Sequence, residues 1–355
     1  MEELDLAAML APLPGDSPTG TDPREDLAPD ALYFRLRDAR TEARAAERRA
    51  DAADDTASAE WGPVRRMAVE LLKTRAKDLE VAVWLAEALL RTNDLAGLAV
   101  GFELMVGLVE RWWDDLHPMP DDEGLARRLA PIAGLNGEGA EGLLIQPLRK
   151  VPLFNMPTGE TIGLWQYQQS AELLTISDTE RKRQRLNAGV IPFEDVERGA
   201  RAASARMGEV RQAAGSALAA WGRLDMLLAD LTERDGPPMG RVRQILMEIA
   251  EVAGRYASPE MADSEATEPV ADDAAPATTF TGRVSTREDA LRVLDEVAEF
   301  FRRTEPHSPL AYTLREAVRR GRLTWPELLE EIVPDNDSRA AILSSLGIRP
   351  HSSSE

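Results

Sequence analysis

The 355-residue chain contains no cysteine. That excludes a disulfide framework, a thiolate nucleophile and any Cys-ligated zinc, and it suits a reducing compartment. Histidine is almost as scarce, with only His117, His307 and His351. No two stand at i,i+4 and no H-E-x-x-H occurs, so metal-hydrolase chemistry has no template. His117 and His307 each neighbour a proline just past an expected helix end, where a positive side chain favours the helix dipole. Gly-Lys never occurs, which removes the Walker A phosphate loop. Lysine is limited to Lys73, Lys77, Lys150 and Lys182, so nearly every cation is arginine. Arginine suits permanent, forked contacts with carboxylates, although a GC-rich genome produces the same bias.

Long uncharged runs are missing too. The most apolar stretch, Leu79 to Trp113, is interrupted by Glu80, Glu87, Arg91, Asp94, Glu103 and Glu110, so a membrane span is not expected. The opening MEELDLAAML is acidic where a secretory leader is basic, which makes a cytoplasmic location the default. Net charge is -20, a balance that repels phosphate backbones and anionic membranes. Neither nucleic acid nor direct membrane insertion is therefore expected.

What remains is apolar spacing of helical period. Hydrophobic residues make up 43% and charged residues 29% of the chain, a globular balance. Ala31 to Ala50 reads as a charged helix that covers a domain rather than filling it, followed by an acidic loop over 51–58. Pro63 suits a first helical turn. Val81, Trp84, Leu85 and Ala88 share one face of a central helix, and Asp94 is a plausible cap for the next. There Leu95, Leu98, Phe102, Met105, Val109 and Trp112 recur at threes and fours until Pro118 enforces a stop. Gly97 and Gly101 read as close helix packing. Val151–Phe154 and Thr161–Tyr167, around Pro157, Thr158 and Gly159, form one expected β-hairpin.

The cleanest pattern runs from Val196 to Leu231 through Ala200, Ala203, Met207, Val210, Ala214, Ala217, Trp221, Leu224 and Leu228. It is an a/d seam of about five heptads, read as one uninterrupted helix. A second seam, Val242 to Tyr256, follows a Gly-Pro turn, so the two predict a folded-back hairpin. Met207, Val210, Trp221, Leu224, Leu228 and Leu231 are the candidate helix-pairing residues. Gly208, Gly215 and Gly222 lie a heptad apart, as close-approach positions or as tolerated surface glycines. Residues 258–283 are acidic and poor in large apolar groups; as a coil they span roughly 25–30 Å. The C-terminal module opens with the capping box Ser285…Glu288, and a second follows at Thr324…Glu327. Phe300, Phe301, Tyr312 and Trp325 there either face another copy or fill a small core.

Gly137, Gly139 and Gly142 spell G-x-G-x-x-G, but a strand does not precede them and Glu138 and Glu141 would oppose a phosphate. No carboxylate pair is placed for acid–base work, and no catalytic, metal or cofactor residue is assigned. The fold class is all-α and multi-domain: a helical domain over 1–168, a helical hairpin domain over 169–257, a linker over 258–283 and a C-terminal module over 284–349.

The stretches APLPGDSPTGTDPRED, DARTEARAAERR, WGPVRRMAVELLKTRAKDLEVAVWLAEALLR and DLAGLAVGFELMVGLVERWWDDLHPMPDD resemble the N-terminal domain of the ImpA/TssA family of type VI secretion proteins. The likeness covers roughly residues 11–155, and includes Lys77-Asp78-Leu79 and an end at Trp113, Asp114, Leu116, His117 and Pro118. It implies a non-enzymatic assembly role on the cytoplasmic face of the envelope. The implied partners are baseplate, tail-tube or sheath proteins and further copies of the chain in a ring. Two other classes stay open: a helical adaptor binding one soluble partner without a ring, and a hydrolase with a hidden carboxylate site.

Overall fold

Periodic apolar stripes at threes and fours can be buried only against other helices, and the computed structural model is built from such helices. It describes residues 4–28, 30–49, 59–122, 124–137, 141–233, 236–258, 287–304 and 309–323, with positions 328, 331 and 335. The chain divides into two compact units, 1–267 and 268–355.

In the first unit, α1 (Leu6–Leu10), α2 (Leu32–Arg49) and α3 (Trp61–Thr74) surround α4 (Leu79–Trp112). α4 is no straight rod. Asn93 (φ -141, ψ 16) and Asp94 (φ 55, ψ -151) break it, and its second limb, from Leu95, runs back along the first. A Cβ on Gly101 would lie 2.8 Å from the Ala86 Cα, so glycine there sets how closely the limbs approach. Both limbs are buried nearly all round. That explains how a helix apolar enough to cross a membrane on composition, with 67% of its most apolar window buried, serves as a core element instead.

After α5 (Ala126–Asn136) and α6 (Ile145–Lys150), β1 (Phe154–Asn155) pairs antiparallel with β2 (Thr161–Ile162). The expected hairpin is therefore shorter than its sequence limits. Leu164 to Tyr167 belong to helix α7 (Leu164–Glu172), where Leu164 and Tyr167 share a buried face and the Gly163 N–H donates to Gln166 Oε1 (2.8 Å). α8 (Thr179–Asn187) leads to α9 (Phe193–Ala202), α10 (Ser204–Leu231) and α11 (Gly240–Tyr256).

The long seam is not one helix. Ala203 (φ -95, ψ 26) ends α9 and precedes α10, so the expected uninterrupted run is corrected to two segments. α10 packs on both α11 and α4. Phe102 meets Trp221 with ring centroids 4.6 Å apart, and the Val242 N–H donates to Asn136 Oδ1 (3.0 Å). Residues on either side of position 168 thus share one continuous buried core.

In the second unit, α12 (Arg287–Thr304) packs on α13 (Pro309–Arg322). Leu291, Ala298 and Val318 are buried, and Arg315 pairs with Glu299 (3.1 Å) across the two helices. The acidic loop over 51–58, the two C-terminal capping boxes and nearly all of the acidic linker lie outside the described residues.

Candidate functional site

Three segments far apart in sequence meet beside the start of α4. Gly20 bridges Ala76, and Asp78 bridges His117. The Lys77 N–H donates to the Thr19 carbonyl (2.8 Å), the His117 N–H to the Lys77 carbonyl (3.0 Å) and the Leu79 N–H to the His117 carbonyl (2.8 Å). Gly20 has φ +77, and a Cβ there would stand 2.0 Å from the Arg75 carbonyl oxygen. Only glycine fits.

Asp78, fully buried, caps α4 by accepting from the Val81 N–H (3.0 Å). Its carboxylate also accepts from Arg24 Nη1 (2.7 Å) and Nη2 (3.3 Å). Arg24 reaches Asp22 (2.9 Å) and Glu80 (2.6 Å) as well, and lies 4.8 Å from the Tyr33 ring centroid. Burial works against the Arg24 charge, but Asp78 and Glu80 overcome it and hold the guanidinium more firmly protonated than usual. Burial likewise raises the Tyr33 phenol against the pull of Arg24, and its hydroxyl donates to Glu80 (2.8 Å).

Lys77 is the exception to this pairing. Fully buried, its ammonium donates to the carbonyls of Met9 (2.7 Å) and Leu72 (2.8 Å), and burial lowers its pKa to about 8. Arg128, also buried, gathers the carbonyls of Trp113 (2.7 Å), Leu116 (2.6 Å) and Pro118 (2.9 Å). These are orphan acceptors past the end of α4. His117 Nε2 lies 3.3 Å from the Gly20 carbonyl oxygen.

A ladder of polar contacts continues from Glu80 between α2 and the first limb of α4. Tyr33 meets Glu80, Arg40 meets Glu87 (2.5 Å), and Arg91 meets Glu47 (3.1 Å). Tyr33, Arg40 and Glu47 are one heptad apart, so they share the inward face with Leu36 and Ala43. Arg40 lies over Trp84 (5.3 Å) and Arg91 over Trp61 (4.5 Å).

A groove of about 530 Å³ runs between the second limb of α4 and α10. Ala96, Val100 and Ala213 form its apolar wall. Asp94 and Glu209 both meet Arg206 (3.2 Å each), and Glu103 meets Arg223. Burial raises the Asp94 carboxyl, opposed by Arg206. Asp94 has a backbone conformation that favours glycine, a form of strain that tends to gather where a turn or site demands it. In both the cluster and the groove, carboxylates face arginines rather than one another, which suits holding segments in place and offers no acid–base pair. Among the described residues, no group of three His, Asp or Glu side chains is placed to hold a metal.

Of the candidate seam residues, Met207, Val210, Trp221, Leu224 and Leu228 come together in the core, while Leu231 is 39% exposed. Trp221 Nε1 donates to the Met239 carbonyl (2.9 Å). A Cβ on Gly215 or Gly222 would meet nothing within 4 Å, so within this chain these two are open surface positions. Phe301 is half-buried on α12 and Tyr312 is 72% exposed on α13. Phe300 lies on α12, and Trp325 lies outside the described residues. Sequence reasoning missed the Arg24–Asp78 contact, which joins an arm to a helix start without any local pattern. It also missed the polar ladder, whose signal was the heptad spacing of Tyr33, Arg40 and Glu47.

Comparison with known proteins places this geometry. The sequence model of the family described as "ImpA, N-terminal, type VI secretion system" matches residues 10–137, which include Arg24, Lys77, Asp78 and His117. The type VI secretion system component TssA1 of Pseudomonas aeruginosa strain PAO1 is 28% identical over 351 residues, 95% of this chain and 97% of that protein. A solved N-terminal domain of the TssA component of the type VI secretion system from Burkholderia cenocepacia superposes with a TM-score of 0.59 at 25% identity. It covers 72% of this chain and 94% of that one. The motif-bearing arm, the α4 hairpin and the histidine–proline stop lie within the matched region, so residues 10–137 carry an ImpA-type N-terminal domain, and over nearly its whole length the chain is similar to a type VI secretion system component.

Proposed function

We propose that this chain is a non-enzymatic assembly component of a type VI secretion machine, acting on the cytoplasmic side of the envelope. The first unit docks on a baseplate, tail-tube or sheath protein. The second unit joins copies of the chain into a ring, with Phe300, Phe301, Tyr312 and Trp325 as the candidate contacts. The domain limits at 168, 257 and 283 are part of this reading, the first of them falling inside the shared core of the first unit.

The observation that carries it is the extent of the likeness. It spans 97% of TssA1, so both units fall within it and not the N-terminal domain alone. The arginine–carboxylate cluster agrees with such a role, because its charges hold the arm, α2 and the start of α4 together. Light scattering on the full chain and on a chain ending at residue 258 tests the proposal. A multimer that drops to a lower order on truncation is expected. A full-length monomer, or equal order in both, would overturn the ring and favour a helical adaptor with a single soluble partner.

A further inference from the structure

Between Leu173 and Val196 no residue is buried. In the middle of this stretch stands α8, a nine-residue helix with no buried side chain. A helix this short is marginal in water, and most protein helices are stabilised by packing an apolar face. α8 has none. Local caps define it instead: Asp178 accepts from the N–H groups of Glu180 (2.9 Å) and Arg181 (3.2 Å), and the Gly189 N–H donates to the Leu186 carbonyl (3.0 Å) at φ +90. One ion pair, Arg185 to Glu172 (2.6 Å), ties it to α7.

Its charge is as unusual as its exposure. In a chain of net charge -20, this helix carries Arg181, Lys182, Arg183 and Arg185 against Glu180 alone. Arg183 pairs with Glu180 (2.6 Å). Arg181 and Lys182 meet no carboxylate among the described residues. Arg181 and Arg185, one turn apart, line a cleft of about 440 Å³ together with Asp178 and with Glu172, which pairs with Arg185, so Arg181 is the cation there without a carboxylate partner among the described residues. Leu186, on the same helix, is 37% exposed.

We infer that α8 is a docking arm for an acidic segment of a protein partner, with carboxylates seated on Arg181 and Lys182 and an aliphatic contact on Leu186. The charge sign selects an anionic occupant. Leu186 is the only apolar side chain in the helix, too little to insert at a membrane surface. An extended polyanion such as duplex DNA would meet the acidic remainder of the chain, whereas a short acidic segment touches the arm alone. The inference stands on this patch and does not depend on ring assembly.

The test uses the full chain and a fluorescent decapeptide of alternating Glu and Ala, read by anisotropy at about 50 and 150 mM salt, where screening differs. The native chain should bind, more weakly at the higher salt. The R181E/K182E variant should bind about 10-fold more weakly or worse, with R181Q/K182Q between them. Melting should be unchanged, because neither side chain has a partner to lose. Equal binding by the native chain and R181E/K182E, or no binding by the native chain, rejects the arm. A duplex oligonucleotide and phosphatidylserine vesicles run in parallel. Loss confined to either of these would reject the protein-segment reading in favour of a polyanion.

Discussion

The two faces of the α4 hairpin are covered by opposite chemistry. Against the first limb, α2 presents Tyr33, Arg40 and Glu47, each engaged with a polar partner. Against the second limb, α10 presents Trp221, Leu224 and other apolar side chains with no ionic rung in the buried seam. The apolar face gains from area removed from water, about 25 cal/mol per Å². The polar face gains little net energy, since desolvation offsets most of each buried pair. What it sets is register: a one-turn slip of α2 in one direction would bring Leu36 to the place of Arg40 and leave Glu87 buried against an apolar side chain. One side of the hairpin therefore supplies stability and the other supplies position, and Arg24 joins Asp78 to Glu80 at the start of the positioning side.

The largest effect should come from the apolar face. Trp221→Ala removes a fully buried indole that touches Phe102 and donates to Met239, and should cost about 3–5 kcal/mol. Because the core is continuous across position 168, urea unfolding followed by helix content should shift as one transition for the whole first unit. A separate early transition of the α10–α11 hairpin, with α1–α4 unaffected, would break the picture of a shared core.

A smaller loss is expected on the polar face. Arg40→Ala strands the Glu87 carboxylate, whose side chain is 0% exposed while that of Arg40 is 14% exposed. The cost should be about 2–3 kcal/mol, below that of a fully buried pair. Replacing both partners, as R40L/E87M, should recover most of it, because two apolar groups leave no charge to solvate. The same chemistry at the surface is the contrast. Arg243 and Asp225 pair between α11 and α10 with 41% and 34% of their side chains exposed, and Arg243→Ala should cost no more than about 1 kcal/mol. If the double variant is no better than Arg40→Ala, the ladder is a source of stability and not only of register.

These two faces were not equally legible in the sequence. The α10 seam announced itself because apolar periodicity survives in any solvent-facing helix that packs on one side. Its interruption at Ala203 did not, since no glycine or proline marks it and the local residues suit a helix. The turn at Asn93–Asp94 was visible as a cap signal, but that the limbs fold back on one another is set by Gly101 against Ala86. The ladder was hidden by its own composition: a buried arginine and glutamate read as surface residues until the partner helix is in place. Arg24 and Lys77 belong to the same class, with partners more than fifty residues away. α8 went unread in the sequence, because no apolar stripe exists there to signal a helix.

The last expected effect is a pH-dependent slope, not a fixed loss, at the start of α4. Lys77 stands just before α4, bonded to α1 and α3, with its pKa lowered by burial from 10.5 to about 8. Below pH 8 the lysine is protonated both in the fold and in the unfolded chain, so its contribution is constant. Between about pH 8 and 10.5 the unfolded chain holds the proton and the folded chain releases it. Stability therefore rises with pH across that window, by at most on the order of 1.4 kcal/mol per unit. Lys77→Met removes this slope. Unfolding free energies of the native chain and the variant at pH 7.5, 8.5 and 9.5, taken as a difference, isolate it from every other titrating group. The variant should be the more stable at pH 7.5 if its methyl group fills the space of the ammonium, with the gap narrowing as pH rises. A gap that stays constant would mean that the carbonyls of Met9 and Leu72 hold Lys77 charged throughout. It would then be a cross-link between α1 and α3 rather than a charge the core tolerates.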